Sequence, residues 1–268
     1  MATIAPPIQP SASLAASTLG IAKRGLLKYL RTPQLVVLGT IQGALFLLIF
    51  RYVFGGAIGT GGLHYVDFLV PGFITTGILF SGMGAATGVA EDLEQGLVDR
   101  LRSLPIPRSA VLAGRALADT AVVVWGLVIT TAIGFAVGFR IHGSVADALV
   151  AFGLLVVLGF ALEWLFITLG LFAGNAQAAQ GMALLVFPLT FVSSAYVPVE
   201  SMPGWLQAVA EHQPITVMVD AVRALTQGPA AEALLGHGAG FYVVRSLLWA
   251  AAIVAVFVPV AVARYRRG

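Results

Sequence analysis

Apolar positions gather into six long runs, at about 34–54, 68–90, 118–139, 147–173, 178–197 and 242–263, separated by polar intervals of unequal length. Each run reaches or exceeds the ~18 apolar residues at which a segment reads as a membrane-spanning helix. Six transmembrane helices are therefore predicted. Arg51 falls near the far end of the first run, where its stem can lie in hydrocarbon while its head reaches the interface. Pro71, Pro188 and Pro259 interrupt three runs. Membrane helices tolerate such prolines because neighbouring groups take up the freed carbonyl.

The intervals carry patterns of their own. From Leu14 to Arg31 the period is helical: Leu19, Ala22, Leu26, Leu27 and Leu30 share a face, with Lys23, Arg24, Lys28 and Arg31 towards the other. An apolar stripe opposite a basic one predicts an N-terminal amphipathic helix lying in the headgroup region. The competing reading is an ordinary basic flank that anchors the first span. Residues 1–13 are rich in Pro, Ser and Ala, so a disordered tail is expected there, with 14–268 forming one transmembrane domain. The interval at about 198–240 is too apolar for a solvated loop, and it has helical pattern on both sides of Gln213-Pro214. Each half is too short to cross, which predicts short external re-entrant helices between spans five and six.

Composition settles the class. Hydrophobic residues make up 59% and charged residues 10%, against roughly 25% charged in soluble domains, and the mean hydropathy is +0.94. An all-α integral membrane protein is expected. Placing the N-terminus in the cytoplasm puts eleven basic residues inside (Lys23, Arg24, Lys28, Arg31, Arg100, Arg102, Arg108, Arg115, Arg264, Arg266, Arg267) and four outside (Arg51, Arg140, Arg223, Arg245). That bias predicts cytoplasmic termini. It also accounts for the net charge of +3 without a nucleic-acid partner. The absence of cysteine excludes disulfides, thiolate metal sites and a cysteine nucleophile. "MATIAPPIQPSASLAAS" lacks a basic n-region followed by an apolar core, so no cleaved signal peptide is expected. Thirteen arginines against two lysines, with abundant Ala, Gly and Val, suggest a GC-rich bacterial genome.

Catalytic chemistry finds little to stand on. Neither lysine, Lys23 or Lys28, follows a glycine, and no G-x-x-x-x-G-K-[ST] phosphate loop exists. The "GGAIGTGG" cluster at 55–62 lacks a strand-then-helix context and reads as a flexible turn. His64, His142, His212 and His237 lie far apart with no metal-ligand spacing, and Ser193 and Ser194 have no G-x-S-x-G context. Glu163 is the ionisable residue placed near the middle of a span. A carboxylate there costs on the order of 2.5–3.5 kcal/mol, so it is expected to face the bundle, a cavity or an interface. A contact in a transport pathway and a structural hydrogen bond are both open to it. Gly84/Gly88 and Gly134/Gly138, at four-residue spacing, predict close helix packing.

One segment stands apart. "EDLEQGLVDRLRSLPIPRSAVLAGRALAD", from Glu91 to Asp119, holds nine charges: five acids and four arginines. Within it Leu93, Leu97, Val98, Leu101 and Leu104 form one apolar stripe on a short helix ending before Pro105. A lipid-anchoring loop would be basic; a near-neutral, two-signed amphipathic surface suits a protein partner. A short solvated connector is the plainer alternative.

The segment resembles the cytoplasmic signature of ABC-2-type exporter permeases, and most closely the daunorubicin/doxorubicin-resistance-type branch, in which an acidic residue, Gly, Asp-Arg, Leu-Pro and Arg recur in this order. "FVSSAYVPVESMPGWLQAVAEHQPITVMVDAVRAL" resembles the same family's segment after the fifth span, and "YLRTPQ" its start. Gly96-Leu97 and Gln213-Pro214 stand where many members have Gly-Thr and Asn-Pro, in agreement with that branch. The resemblance implies that Glu91, Glu94, Gly96, Asp99, Arg100, Leu101, Arg102 and Pro105 sit in or beside a coupling helix that inserts into a separate ABC ATPase. Pro198, Pro203, Gly204, Trp205 and Pro214 would belong to the external cap. It further implies two ATPase copies carrying ATP and Mg, a second permease copy or paralogue, no cofactor on this chain, and a bacterial plasma-membrane location. The expected function is export of a hydrophobic or amphipathic molecule such as a drug, glycolipid or lipid-linked molecule. An ion-coupled secondary transporter would need more intramembrane acids than Glu163. A non-transporting assembly or regulatory subunit is the remaining alternative.

Overall fold

The computed structural model describes residues 13–103 and 106–267. Pro105 and nearly all of the expected N-terminal tail lie outside the described residues, as do the side chains of Asp99 and Arg102. Every regular element among the described residues is helical.

The chain opens with α1 (Leu14–Arg31), capped by Ser13, whose Oγ accepts the Ala16 N–H at 3.2 Å. α2 (Pro33–Ile49) starts on a proline, which at that position loses no hydrogen bond. It widens into a π-helical turn, Phe50–Phe54. α3 (Tyr65–Glu94) contains Pro71, and the hydroxyls of Thr75 and Thr76 donate back to the carbonyls of Pro71 (2.8 Å) and Gly72 (3.0 Å). α4 (Leu97–Arg102) is a single short turn-and-a-half before α5 (Arg108–Ala136). α6 (Val145–Ala173) begins with a reciprocal cap between Ser144 and Asp147. α7 (Ala176–Leu184) and α8 (Phe187–Phe191) follow. A 3-10 turn at Val199–Ser201 leads through α9 (Gly204–Ala210), α10 (Pro214–Gln227) and α11 (Pro229–Leu235) to α12 (Ala239–Arg267).

Among the described residues, four helices are long and apolar enough to cross a membrane: α3, α5 from Ser109, α6 and α12. They coincide with the second, third, fourth and sixth apolar runs. The first and fifth runs appear as shorter apolar stretches, Gly39–Phe54 and Ala176–Phe191. Where one helix was expected across 178–197, the chain breaks around Leu185–Val186 and again after Phe191. Pro188 brings no N–H to the ladder there, and Ser193 Oγ folds back onto the Thr190 carbonyl at 2.5 Å. α5 starts ten residues before the third run, so residues 108–118 of the charged segment and that run are one helix.

α3 is the hub, packed by α5, α6, α7 and α10. Its core contacts need glycine at specific places. A Cβ at Gly72 would strike the Ala195 carbonyl, one at Gly82 the Phe166 ring, and one at Gly170 of α6 the Ala86 carbonyl. Of the two spaced glycine pairs, Gly88 lies against Arg115 and Gly134 against Val70, whereas Gly84 and Gly138 face open space. Phe50 ties the first apolar stretch to this core by stacking on Tyr196, with centroids 4.9 Å apart. Large apolar side chains such as Trp125, Val128, Leu149, Val157, Leu248 and Val256 remain exposed around the bundle. Such a continuous apolar exterior suits hydrocarbon better than water.

Candidate functional site

Two polar clusters occupy opposite ends of α3. The first lies where α1, the end of α3, α4 and the start of α5 meet, here called the basic end. α1 turns its Ser17, Ile21, Gly25 and Tyr29 line towards α5. The approach is close: a Cβ at Gly25 would sit 2.7 Å from Ala118 Cβ, and one at Gly114 would sit 2.6 Å from the Thr18 carbonyl oxygen. At the end of that line Tyr29 Oη donates to Asp119 Oδ1 at 2.7 Å. Burial and the neighbouring carboxylate push the phenol above its ordinary range, so Tyr29 stays a donor.

Arg115 joins the helices. Its Nε donates to Asp119 Oδ2 at 2.7 Å, one turn along α5, and its Nη1 donates to Asp92 Oδ2 of α3 at 2.5 Å. Lys28 of α1 lies 3.7 Å from Asp92 Oδ1, with most of its side chain exposed. Three charges of the two-signed segment are thus closed within the chain and are not offered outward. Gly88 makes room for the guanidinium.

α4 is seated by Gly96, whose φ of +65° lies in the left-handed region that favours glycine. Beyond that turn Val98 is buried, and Leu93 and Leu101 pack partly buried against the cluster of Val89, Val111, Leu112, Ile167 and Leu171. The single helix predicted to carry Leu93 through Leu104 is broken at Gln95–Gly96: Leu93 lies in the last turn of α3 and Val98 and Leu101 on α4, all turned inward, while Leu104 lies outside the described residues. Glu94 and Arg100 are exposed and Glu91 is half-buried, leaving a charged outer face.

On α1 the structure separates what the sequence paired. Lys23, Arg24, Lys28 and Arg31 are exposed, but so are Leu19, Leu26, Leu27 and Leu30. The predicted apolar face is the one left uncovered, and the small-residue line with Tyr29 does the packing. Glu163 of α6 is 1% exposed and points into the bundle. Its Oε2 is buried without a hydrogen-bond partner among the described residues, within electrostatic range of Asp119 and Arg115.

The second cluster holds the opposite, capped end. Arg223 of α10 is fully buried, although the charge tally assigns it to an outer side. Its Nη1 donates to Asp220 Oδ1 at 2.7 Å, and its Nη2 to the carbonyls of Ser194 (2.6 Å) and Phe68 (3.1 Å). Its Nε reaches the same Phe68 carbonyl at 3.2 Å, with the guanidinium 3.7 Å over the Phe68 ring. Ser194 Oγ donates to Asp220 Oδ1 at 2.6 Å. Gln213, before Pro214, donates to the Val192 carbonyl at 2.8 Å and to that of Leu189 at 3.3 Å. Pro198 and Pro203 precede the 3-10 turn and α9, Gly204 starts α9, and Trp205 stands 74% exposed.

The spacing marks Val98 and Leu101 as one apolar face but runs a single helix through Gly96, and it misses Tyr29, Asp92, Arg115, Asp119 and Arg223 as joints. The i, i+4 pair Arg115/Asp119 was a readable signal. Asp220/Arg223 at i, i+3 was another, but Tyr29 gave none, since Asp119 is 90 residues away, and neither did the Arg223 contact with Phe68, 155 residues away.

Residues 17–226 match the family model described as ABC-2 type transporter. Over 257 residues the chain is 32% identical to the daunorubicin resistance ABC transporter permease protein DrrB1 of Streptomyces coeruleorubidus, covering 95% of this chain and 88% of that protein. It is 28% identical over 259 residues to the probable doxorubicin resistance ABC transporter permease protein DrrC of Mycobacterium tuberculosis, covering 94% and 89%. A shorter likeness, 31% over 166 residues, links 59% of this chain to 43% of the probable multidrug ABC transporter permease YbhR of Escherichia coli.

Proposed function

The chain belongs to the ABC-2 type transporter family, and from that premise we propose that α4 is the element through which a separate ABC ATPase drives this permease subunit. The observation that carries the reading is the seating of α4. Its apolar side is anchored by Val98 and Leu101, Arg100 on its outer side and Glu94 at the end of α3 are exposed, and Arg115 and Asp92 join the helices at its base. Asp99, Arg102 and Pro105 belong to the same surface by resemblance. ATP and Mg sit on the ATPase, since this chain has no phosphate loop of its own.

The assembly takes two ATPases and two permeases, either two copies of this chain or one copy with a paralogue. Gly39–Phe54 and Ala176–Phe191 serve as the first and fifth of six crossings, and α9 and α10 as re-entrant helices of the outer leaflet. The eleven-to-four distribution of basic residues supports cytoplasmic termini in a bacterial plasma membrane. The cargo is hydrophobic or amphipathic, in keeping with the drug-resistance permeases it resembles. Closure of the ATPases would press on α4 and shift the permease pair between inward-open and outward-open forms.

Arg100→Ala tests the reading. In a properly inserted variant, ATPase co-purification and transport-stimulated ATP hydrolysis should fall at least about tenfold, the loss of one charge-assisted contact. Unchanged co-purification and stimulation would remove α4 from the interface.

A further inference from the structure

A cavity of about 540 Å³ opens at the capped end between the π-helical turn, the start of α3 and the α5–α6 connection. It falls within the roughly 300–1,000 Å³ typical of ligand pockets, and its charged lining is unbalanced. Arg51 and Arg140 face a single carboxylate, Asp67, with His64 and His142 beside them.

Arg51 is the unusual member. It sits on the π-helical turn, a geometry often found at functional sites. Gly55 lets that turn close, since a Cβ there would strike the Arg51 carbonyl. The Arg51 Nε is buried with no hydrogen-bond partner among the described residues, and the guanidinium carbon lies 5.5 Å from the centroid of the Tyr52 ring. Leaving a buried cationic donor unmet is unfavourable, so the position calls for an anion from outside the chain.

The other groups are already arranged. Arg140 Nη1 donates to the carbonyls of Phe139 (2.7 Å) and Phe135 (3.0 Å), which fixes the side chain and leaves Nε and Nη2 for a ligand. Asp67 is buried, and its Oδ1 accepts the Arg140 backbone N–H at 3.0 Å. That carboxylate thus holds the cavity wall together. Two guanidinium forks around one cavity match the oxygen geometry of a phosphate group. The turn that carries Arg51 also exposes Tyr52, Val53 and Phe54, an apolar surface on which an acyl chain can lie.

We propose that this cavity binds a phosphate anion, a chemistry shared by a phospholipid headgroup and free phosphate. The full-length wild type, Arg51→Gln, Arg51→Lys and the distant Arg245→Gln would be compared in detergent, with folding checked by gel filtration. Native mass spectrometry would read retained phosphatidylglycerol against phosphatidylcholine. A thermal-shift series would read inorganic phosphate against chloride at equal ionic strength.

Retention of phosphatidylglycerol about tenfold weaker in Arg51→Gln, partly restored in Arg51→Lys and unchanged in Arg245→Gln, supports the site with a lipid headgroup as occupant. Unaltered lipid retention with a phosphate-induced shift lost only in Arg51→Gln supports the site with free phosphate as occupant. If a folded Arg51→Gln binds both probes as the wild type does, the proposal is overturned. The readout is binding, so it stands or falls separately from ATPase coupling.

Discussion

Arg115 reaches Asp92 across the α5–α3 interface at 2.5 Å while its Nε holds Asp119 of its own helix at 2.7 Å. With Tyr29 on the second Asp119 oxygen, one guanidinium organises three helices at the base of α4.

Arg115→Met should therefore cost more than a surface charge. It strands Asp119, whose side chain is 3% exposed, and losing one partner of a buried ion pair costs about 3–5 kcal/mol. The expected result is a lower thermal midpoint in detergent. Tyr29→Phe, which removes one hydrogen bond, should cost about 1–3 kcal/mol. Because the two share Asp119, the double variant should lose less than the sum of the singles. Strict additivity in unfolding measurements would break the network assignment.

Gly96→Val should unseat α4 without dismantling the bundle. A left-handed φ costs a residue with a side chain about 1–2 kcal/mol, and this cost falls on the turn between α3 and α4. The expected outcome is normal membrane insertion with reduced stimulation of the ATPase. Gly84→Ala, in open space, is the matched control and should behave as wild type in the same assay.

Arg223→Lys should fail despite keeping the charge. Four hydrogen bonds radiate from the guanidinium to Asp220, Ser194 and Phe68, and an ammonium cannot reproduce that fork. Limited proteolysis should then cut the 198–235 segment faster than in wild type. A cleavage pattern identical to wild type would show that Arg223 does not clamp the cap.

Much of the fold was legible because hydrophobic period is a local property. The Leu14–Arg31 helix follows its predicted bounds, and α3, α6 and α12 extend their apolar runs by a turn or less at most ends. Hydropathy reads insertion and not helicity, so it placed the start of α5 at residue 118 when Arg108–Ala118 was already helical. The π-helical turn and the break before Pro188 were hidden for the same reason, since both lie inside runs that hydropathy reads as spans, the first despite Arg51. In the candidate site, the inward side of Leu93, Val98 and Leu101 was readable from spacing, but the break at Gly96 that divides them between α3 and α4 was not. The Tyr29–Asp119 and Arg223–Phe68 joints depend on how distant helices pack, which one sequence does not encode locally.

α3 gives the two clusters a mechanical relation. Its thirty residues at 1.5 Å each make a rod about 45 Å long. Asp67 and Phe68 are tethered near one tip, by Arg140 and Arg223, and Asp92 near the other, by Arg115. Such a rod turning by about 5° about one tip carries the other about 4 Å, with no helix bending required. Stiffness along this strut therefore governs how far a displacement at one cluster carries to the other.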